Sequence, residues 1–191
     1  KCPLCESLKF ENFKIGDCSG HFSYNNTLSK SIVWNICRSC NHVFTGGYYT
    51  EEASRIVFDK TQDSQRLGFE FEQYRNISAR MIEKVVPFVS GGRWLDVGFG
   101  NGSLLFTAQE YGFTPFGLDL RAENVAQLSS WGIEAACSDI SKLTMDDEFS
   151  VISMMDVLEH MPYPKIGLSA AFRLLRTGGV LFLSMPNCEG L

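Results

Sequence analysis

Trp94-Leu95-Asp96-Val97-Gly98-Phe99-Gly100-Asn101-Gly102-Ser103, then a helical stretch, then Phe116-Gly117-Leu118-Asp119-Leu120, is the part of this sequence that decides its fold. Two apolar runs each close on an acid, and a glycine turn follows the first. A strand that stops at Asp96 and turns through Gly98, Gly100 and Gly102 into a helix leaves backbone N–H groups at the helix N-terminus, and the glycines let a ligand approach the main chain. The second strand delivers Asp119 about 20 residues on, where its carboxylate can accept hydrogen bonds from both hydroxyls of a ribose. Three glycines in ten residues also occur in ordinary tight turns. The paired acid and the strand-loop-helix order are what point to a nucleotide-like ligand.

The loop narrows the ligand. A dinucleotide fingerprint wants glycine three residues after the second one; here that position is Ser103, and Gly102 comes one residue early. Asp96 would repel a pyrophosphate and attract an ammonium group, so the loop suits a ligand with a cationic amino-acid end and a ribose. S-adenosylmethionine has both, and a nicotinamide cofactor is the weaker alternative.

Working outward, strand and helix patterns alternate. Strand candidates are 93–97, 115–119, 133–137, 149–154 and 179–185; helix candidates are 103–111, 123–130 and 165–175. Such βα repetition predicts an α/β fold with a doubly wound, mainly parallel sheet and ligands at the carboxyl ends of its strands, where Asp96, Asp119, Asp139 and Asp156 all fall. Upstream, Leu67, Phe71, Tyr74, Ile77, Met81, Ile82 and Val85 recur at three- and four-residue steps, an amphipathic helix ended by Pro87 and Gly91-Gly92. Phe71 and Tyr74 are read as packing residues, with a lid over the cofactor as the alternative.

The run Asp96-Val97-Gly98-Phe99-Gly100-Asn101-Gly102 resembles the first motif of class I S-adenosylmethionine-dependent methyltransferases, and the resemblance extends from roughly Met81 to the C-terminus. It implies a Rossmann-like methyltransferase fold. Carried over, it implies that Asp96, Gly98 and Gly100 contact the methionine part, with Phe99, Asn101, Gly102 and Leu120 completing the cofactor-binding set. Asp119 would meet the ribose hydroxyls, Asp139 with Ile140 the adenine, and Asp156 would lie beside the methionine moiety. The Gly178-Gly179 turn before Val180 resembles the start of the family's fifth strand. Because the family's sheet has seven strands, the reading expects a C-terminally incomplete sheet, the last strands lying beyond Leu191.

Asp156-Val157-Leu158-Glu159-His160-Met161-Pro162 is the second informative stretch. Methyl transfer requires a positioned acceptor and, where the acceptor carries a proton, a base. His160 has a suitable intrinsic pKa, and in similar methyltransferases the histidine serves as that base, so His160 and Glu159 are the candidate catalytic residues. An alternative takes Asp156, Glu159 and His160 together as a divalent-metal cluster on one face of a helical turn.

Residues 1–46 read as a separate zinc-ribbon-like module rich in aromatic and β-branched residues such as Phe22, Tyr24, Ile32 and Trp34, suited to short antiparallel strands. Cys2-Pro-Leu-Cys5 and Cys37-Arg-Ser-Cys40 are paired knuckles whose four thiolates suit a structural zinc. The 31 residues between them require a hairpin excursion, within which Cys18 and His21 form a rival pair. Cys137 and Cys188 are read as buried small residues. Residues 47–65 form a linker and 66–191 the S-adenosylmethionine-binding domain.

The chain of 191 residues is 45% hydrophobic with net charge −5, enough for one core plus a small module. No run of 18 apolar residues and no basic apolar leader occurs, so the expectation is a cytoplasmic protein with no membrane span. The first 45 residues carry five Lys/Arg and three Asp/Glu, and the remainder twelve and nineteen. No basic footprint for nucleic acid results. The leading expectation is therefore methyl transfer to a small-molecule acceptor such as a sugar, polysaccharide precursor or secondary metabolite. An RNA methyltransferase with a zinc module, or a non-catalytic zinc-ribbon adaptor, are the alternatives.

Overall fold

The computed structural model describes residues 1–21, 24–47, 50, 53 and 65–186. Phe22, Cys188 and most of the expected linker therefore lie outside the described residues. The chain divides into two compact units, Lys1–Thr61 with Pro162–Lys165, and Gln62–Met161 with Ile166–Leu191.

In the first unit, β1 (Phe10–Asp17), β2 (Ser31–Cys37) and β3 (Val43–Thr45) form an antiparallel sheet in the order β1-β2-β3. The β1-β2 hairpin fills the gap between the two cysteine knuckles. Its register shifts between Asn12 and Lys14, so Asn12 faces Asn35 while Lys14 faces Trp34.

The second unit alternates as the apolar periods predict. Helix α1 (Phe71–Val85) is followed by β4 (Gly92–Val97), α2 (Ser103–Glu110), β5 (Phe113–Asp119), α3 (Ala122–Ser130), β6 (Glu134–Cys137), β7 (Phe149–Met155), α4 (Pro164–Leu174) and β8 (Leu175–Ser184). The strands are all parallel in the order β6-β5-β4-β7-β8, a doubly wound Rossmann-like sheet. Central strands β4 and β7 are buried over nearly their whole length, as expected where helices cover both faces.

Several boundaries move for local reasons. α1 begins at Phe71 rather than Leu67, because Gly68 (φ 82°) and Glu70 (φ 42°) take left-handed backbone just before it. Its inner face is also rotated: Ile77 is about half exposed, while Ser78 is buried and shares a 2.9 Å hydroxyl–hydroxyl hydrogen bond with Ser103. β5 starts two residues before Pro115. The proline is tolerated because pairing with β6 begins only at Phe116, so no neighbour on that side needs its missing N–H. β8 starts at Leu175, directly from α4, and pairs again only at Val180 opposite Val151, the intervening residues looping out through Gly178 (φ 78°). Cys137 is exposed rather than buried, since β6 is the sheet edge and Cys137 is its last residue.

Candidate cofactor site and cysteine cluster

The turn after β4 is shaped by its glycines in two different ways. A Cβ at Gly98 would stand 2.8 Å from Val157 Cγ2, and one at Gly102 would stand 2.5 Å from Leu67 Cδ1, so both are glycine because the protein packs against them. Gly100 differs. Its φ is 51° and a Cβ there would meet nothing within 4 Å, so the space over this backbone is open. The turn is pinned by the Gly98 N–H, which donates to Leu118 O at 2.7 Å.

Asp96, at the tip of β4, is 3% exposed. Its ladder neighbour on β7 is Ser153, whose hydroxyl donates to Asp96 Oδ1 at 2.6 Å and accepts from the Trp94 indole N–H at 2.8 Å. Burial pushes the Asp96 carboxyl up to about 7; the Ser153 hydrogen bond works against that rise and the Asp119 charge adds to it. Among the described residues nothing hydrogen-bonds the second oxygen of Asp96. A buried carboxylate with one open oxygen is a seat for a cation, which fits the ammonium end of S-adenosylmethionine.

Asp119, at the tip of β5, has a side chain only 5% exposed. Its Oδ1 accepts from the Arg121 backbone N–H and from Arg121 Nε, each at 2.9 Å, and its Oδ2 accepts from Arg121 Nη2 at 2.7 Å. Arg121 Nη1 also donates to Gln65 Oε1 at 3.3 Å. The backbone contact is the turn an Asp makes with its own chain two residues on. The guanidinium clamp and the Ser153–Trp94 chain escaped sequence reasoning. The signal for Ser153 was a lone hydroxyl inside the apolar run Val151-Ile152-Ser153-Met154.

The other expected cofactor residues occupy different surroundings. Phe99 is 4% exposed and belongs to a buried cluster with Leu67, Leu105, Leu128 and Ile133. Asn101 donates to Phe69 O at 3.0 Å and accepts from the Ser103 N–H at 3.1 Å, so its amide holds the segment ahead of α1. Leu120 is exposed, Ile140 is fully buried in the core, and Asp139 caps a short 3-10 turn by accepting from the Ser141 N–H at 2.8 Å. Asp156 is exposed, takes φ 54°, and accepts from the Ser184 hydroxyl at 2.9 Å. Glu159 and His160 are exposed on the 3-10 turn Leu158–His160. Among the described residues, the side chains of Asp156, Glu159 and His160, the alternative metal cluster, do not converge. Asp156 stands ahead of the turn in left-handed backbone, so helical spacing does not apply to it.

In the N-terminal unit the sulfur atoms of Cys2, Cys5, Cys37 and Cys40 all lie within 4.8 Å of one another, with Cys2–Cys40 at 3.7 Å and Cys5–Cys37 at 3.5 Å. Four thiolates at ~2.3 Å from a tetrahedral zinc have sulfur–sulfur edges of about 3.8 Å, so the donor set fits that ion. The two knuckles repeat each other. The N–H of Cys2 donates to Ser7 O, and that of Cys37 to His42 O; Glu6 and Asn41 then donate back to Cys2 O and Cys37 O, each with φ 61°. Burial opposes ionisation of Cys37, but the N–H groups of Ser39 and Cys40 and the neighbouring thiols bring it down to about 6. Cys18 and His21 stay outside the group, and among the described residues no other set of three or more His, Cys, Asp or Glu side chains converges in this way.

A family model described as a methyltransferase domain matches residues 68–190. The chain belongs to this family. It is thus a member of the class I S-adenosylmethionine-dependent methyltransferases, as the glycine motif led us to expect, and the family's methyl donor is S-adenosylmethionine. Ubiquinone biosynthesis O-methyltransferases are among its relatives. That of Coxiella burnetii is 34% identical over 118 residues, covering 58% of this chain and 50% of the relative; that of Psychrobacter cryohalolentis is 32% identical over 154 residues, covering 75% and 57%. The chain spans about half the length of the curated relatives it matches. Among solved structures it resembles the PH0226 protein of Pyrococcus horikoshii, with TM-score 0.56, 20% identity and coverage of 75% and 69% of the two chains. It also resembles the cyclase SpnF, with TM-score 0.54, 23% identity and coverage of 63% and 48%. These likenesses show the fold, and a cyclase among them illustrates that one fold carries more than one chemistry. Among the described residues no helix is long and apolar enough to cross a membrane.

Proposed function

We propose that the protein transfers a methyl group from S-adenosylmethionine to a small-molecule acceptor, with residues 66–191 binding the cofactor, 1–46 forming a zinc module and 47–65 linking them. The observation that carries this reading is the buried Asp96 carboxylate, one oxygen of which no described residue hydrogen-bonds, on the strand that leads into the turn through Gly100. When bound, the cofactor supplies an electrophilic methyl carbon on a sulfonium. The chain's part is to bind and orient: Asp96 receives the amino group, Asp119 the ribose hydroxyls, the 139–140 segment the adenine, and Asp156 borders the methionine end. Exposed on the turn after β7, His160 takes the acceptor's proton, with Glu159 beside it. Support for a small-molecule acceptor comes from the relatives named ubiquinone biosynthesis O-methyltransferase, which also favour oxygen as the methylated atom. Sugars, polysaccharide precursors and secondary metabolites are the classes to screen. Cys2, Cys5, Cys37 and Cys40 hold a structural zinc, and described cysteines outside any disulfide suit a reducing compartment such as the cytoplasm.

The test is calorimetric titration of the whole chain with S-adenosylhomocysteine, for the native protein and Asp96→Asn. The reading expects saturable binding by the native protein that the isosteric neutral variant weakens at least tenfold, the loss of one charge-assisted hydrogen bond. Equal affinities for the two proteins, or no binding by either, would overturn it.

A further inference from the structure

An ionised carboxylate offers about four acceptor positions, two on each oxygen. At Asp119 three are already taken from within the chain. Oδ1 is filled by the Arg121 backbone N–H and Nε, and Oδ2 keeps one position beside Nη2. A ribose diol brings two hydroxyl donors, so the count reaches five for four positions. One hydroxyl is accommodated at Oδ2 without any rearrangement. The second requires that a guanidinium contact give way, because the backbone contact is fixed by the turn that starts α3.

We infer that Arg121 is a specificity-determining residue that competes with the cofactor's ribose diol for the Asp119 carboxylate, and so sets how strongly the site distinguishes a diol from a deoxyribose. This rests on the reading of Asp119 as the ribose acceptor. The guanidinium has a second anchor when it yields. Nη1 donates to Gln65 Oε1, and Gln65 O in turn accepts from Asn124 Nδ2 at 3.2 Å, so Arg121 pivots on a held partner. Its side chain is only 15% exposed, which keeps bulk water from diluting the competition. The deposit of charge is balanced throughout: Arg121 stays within reach of Asp119 through Nη2 while releasing Nε.

The experiment compares S-adenosylhomocysteine with its 2′-deoxy counterpart, by calorimetry on the zinc-loaded full chain. In Arg121→Met, which keeps the stem and removes the donors, the diol ligand should bind severalfold tighter while the 2′-deoxy ligand changes little. Discrimination between the two should rise by that same factor, the yield of one additional hydrogen bond to a charged acceptor. In the native protein the Arg121 Nε–H resonance should shift on adding S-adenosylhomocysteine and stay put with the 2′-deoxy ligand, a readout that needs no variant to fold. Unchanged discrimination in Arg121→Met, equal weakening of both ligands, or an Nε–H resonance indifferent to the diol would each overturn the inference. Asp119→Asn separates the two levels. If it leaves affinity for the diol ligand unchanged, the ribose assignment itself falls; if it weakens the diol ligand while Arg121→Met does nothing, only the competition falls.

Discussion

Asp96 makes the protein's response to pH predictable in sign and size. Its folded-state carboxyl is raised to about 7 by burial, while in an unfolded chain it titrates at the ordinary aspartate value. A group raised on folding lends stability that is fully present below its unfolded pKa and is lost as pH rises through the folded one. With about three pH units between the two values, the ligand-free protein gives up about 4 kcal/mol between pH 4 and pH 8 through this one residue. The cofactor's ammonium wants the opposite protonation state. Affinity for S-adenosylhomocysteine should therefore rise with pH, roughly tenfold between pH 6 and pH 8, as the ionised fraction of Asp96 grows from about a tenth to about nine tenths. Acid also protonates the cysteine thiols, so the quantity to measure is the difference between native protein and Asp96→Asn. Denaturant unfolding and calorimetric titration of both proteins at pH 6, 7 and 8 would supply it. Parallel stability curves for the two proteins, together with parallel affinity curves, would refute the argument.

Three further outcomes follow from the geometry. Purified without chelator, the protein should carry one zinc per chain by elemental analysis; removing it, or making Cys37→Ser, should unfold the β1–β3 sheet as followed by amide exchange, and a metal-free protein with that sheet intact would exclude a structural ion. Gly100→Ala should weaken S-adenosylhomocysteine binding at least tenfold while costing about 1 kcal/mol of stability, whereas Gly102→Ala should cost about 1–3 kcal/mol because the new methyl meets Leu67; the reverse ranking in binding and melting experiments would contradict the different roles given to the two glycines. With a turned-over acceptor in hand, His160→Ala should retain cofactor affinity and slow turnover by ~10² to 10⁴, and full activity would remove it from the reaction.

The fold was legible because its signals are local. Apolar runs closing on acids, glycines between strand and helix, and a 3.6-residue period ahead of Pro87 fix the order of elements without any knowledge of contacts. What the sequence concealed depends on which residues the sheet sets side by side. Ser153 and Asp96 are 57 positions apart and become neighbours only through the β4–β7 register. Asn101 was legible as a loop residue next to the glycines, but its bond to Phe69 O needs the 65–70 segment to cross that loop. Ile77 and Ser78 show the limit of periodicity: the period counts Ile77 in the apolar stripe, yet it is Ser78 that is buried, hydrogen-bonded to the Ser103 hydroxyl. Cys137 lies within a strand as expected, yet its burial was a property of strand order, and β6 is an edge.

The four strand-tip acids are alike in sequence and unlike in place, and that difference ranks the roles proposed for them. Asp96 and Asp119 end β4 and β5, adjacent in the interior of the sheet, where they are 3% and 6% exposed and where two negative charges raise each other's cost. One is stabilised by a hydroxyl and the other by a guanidinium, the surroundings on which the proposed ammonium and ribose roles rest. Asp139 and Asp156 follow β6 and β7, are exposed, and accept from Ser141 and Ser184, at the rim where the proposed reading sets the adenine and the methionine end. A ligand that is cationic at one end and carries a diol at the other satisfies both buried acids at once, whereas a pyrophosphate would add charge beside the one carboxylate that burial already resists ionising. Substituting a rim acid by asparagine should accordingly change S-adenosylhomocysteine affinity far less than the same change at Asp96, and calorimetry on Asp139→Asn beside Asp96→Asn reads that difference directly; equal losses would mean that burial does not rank these four residues.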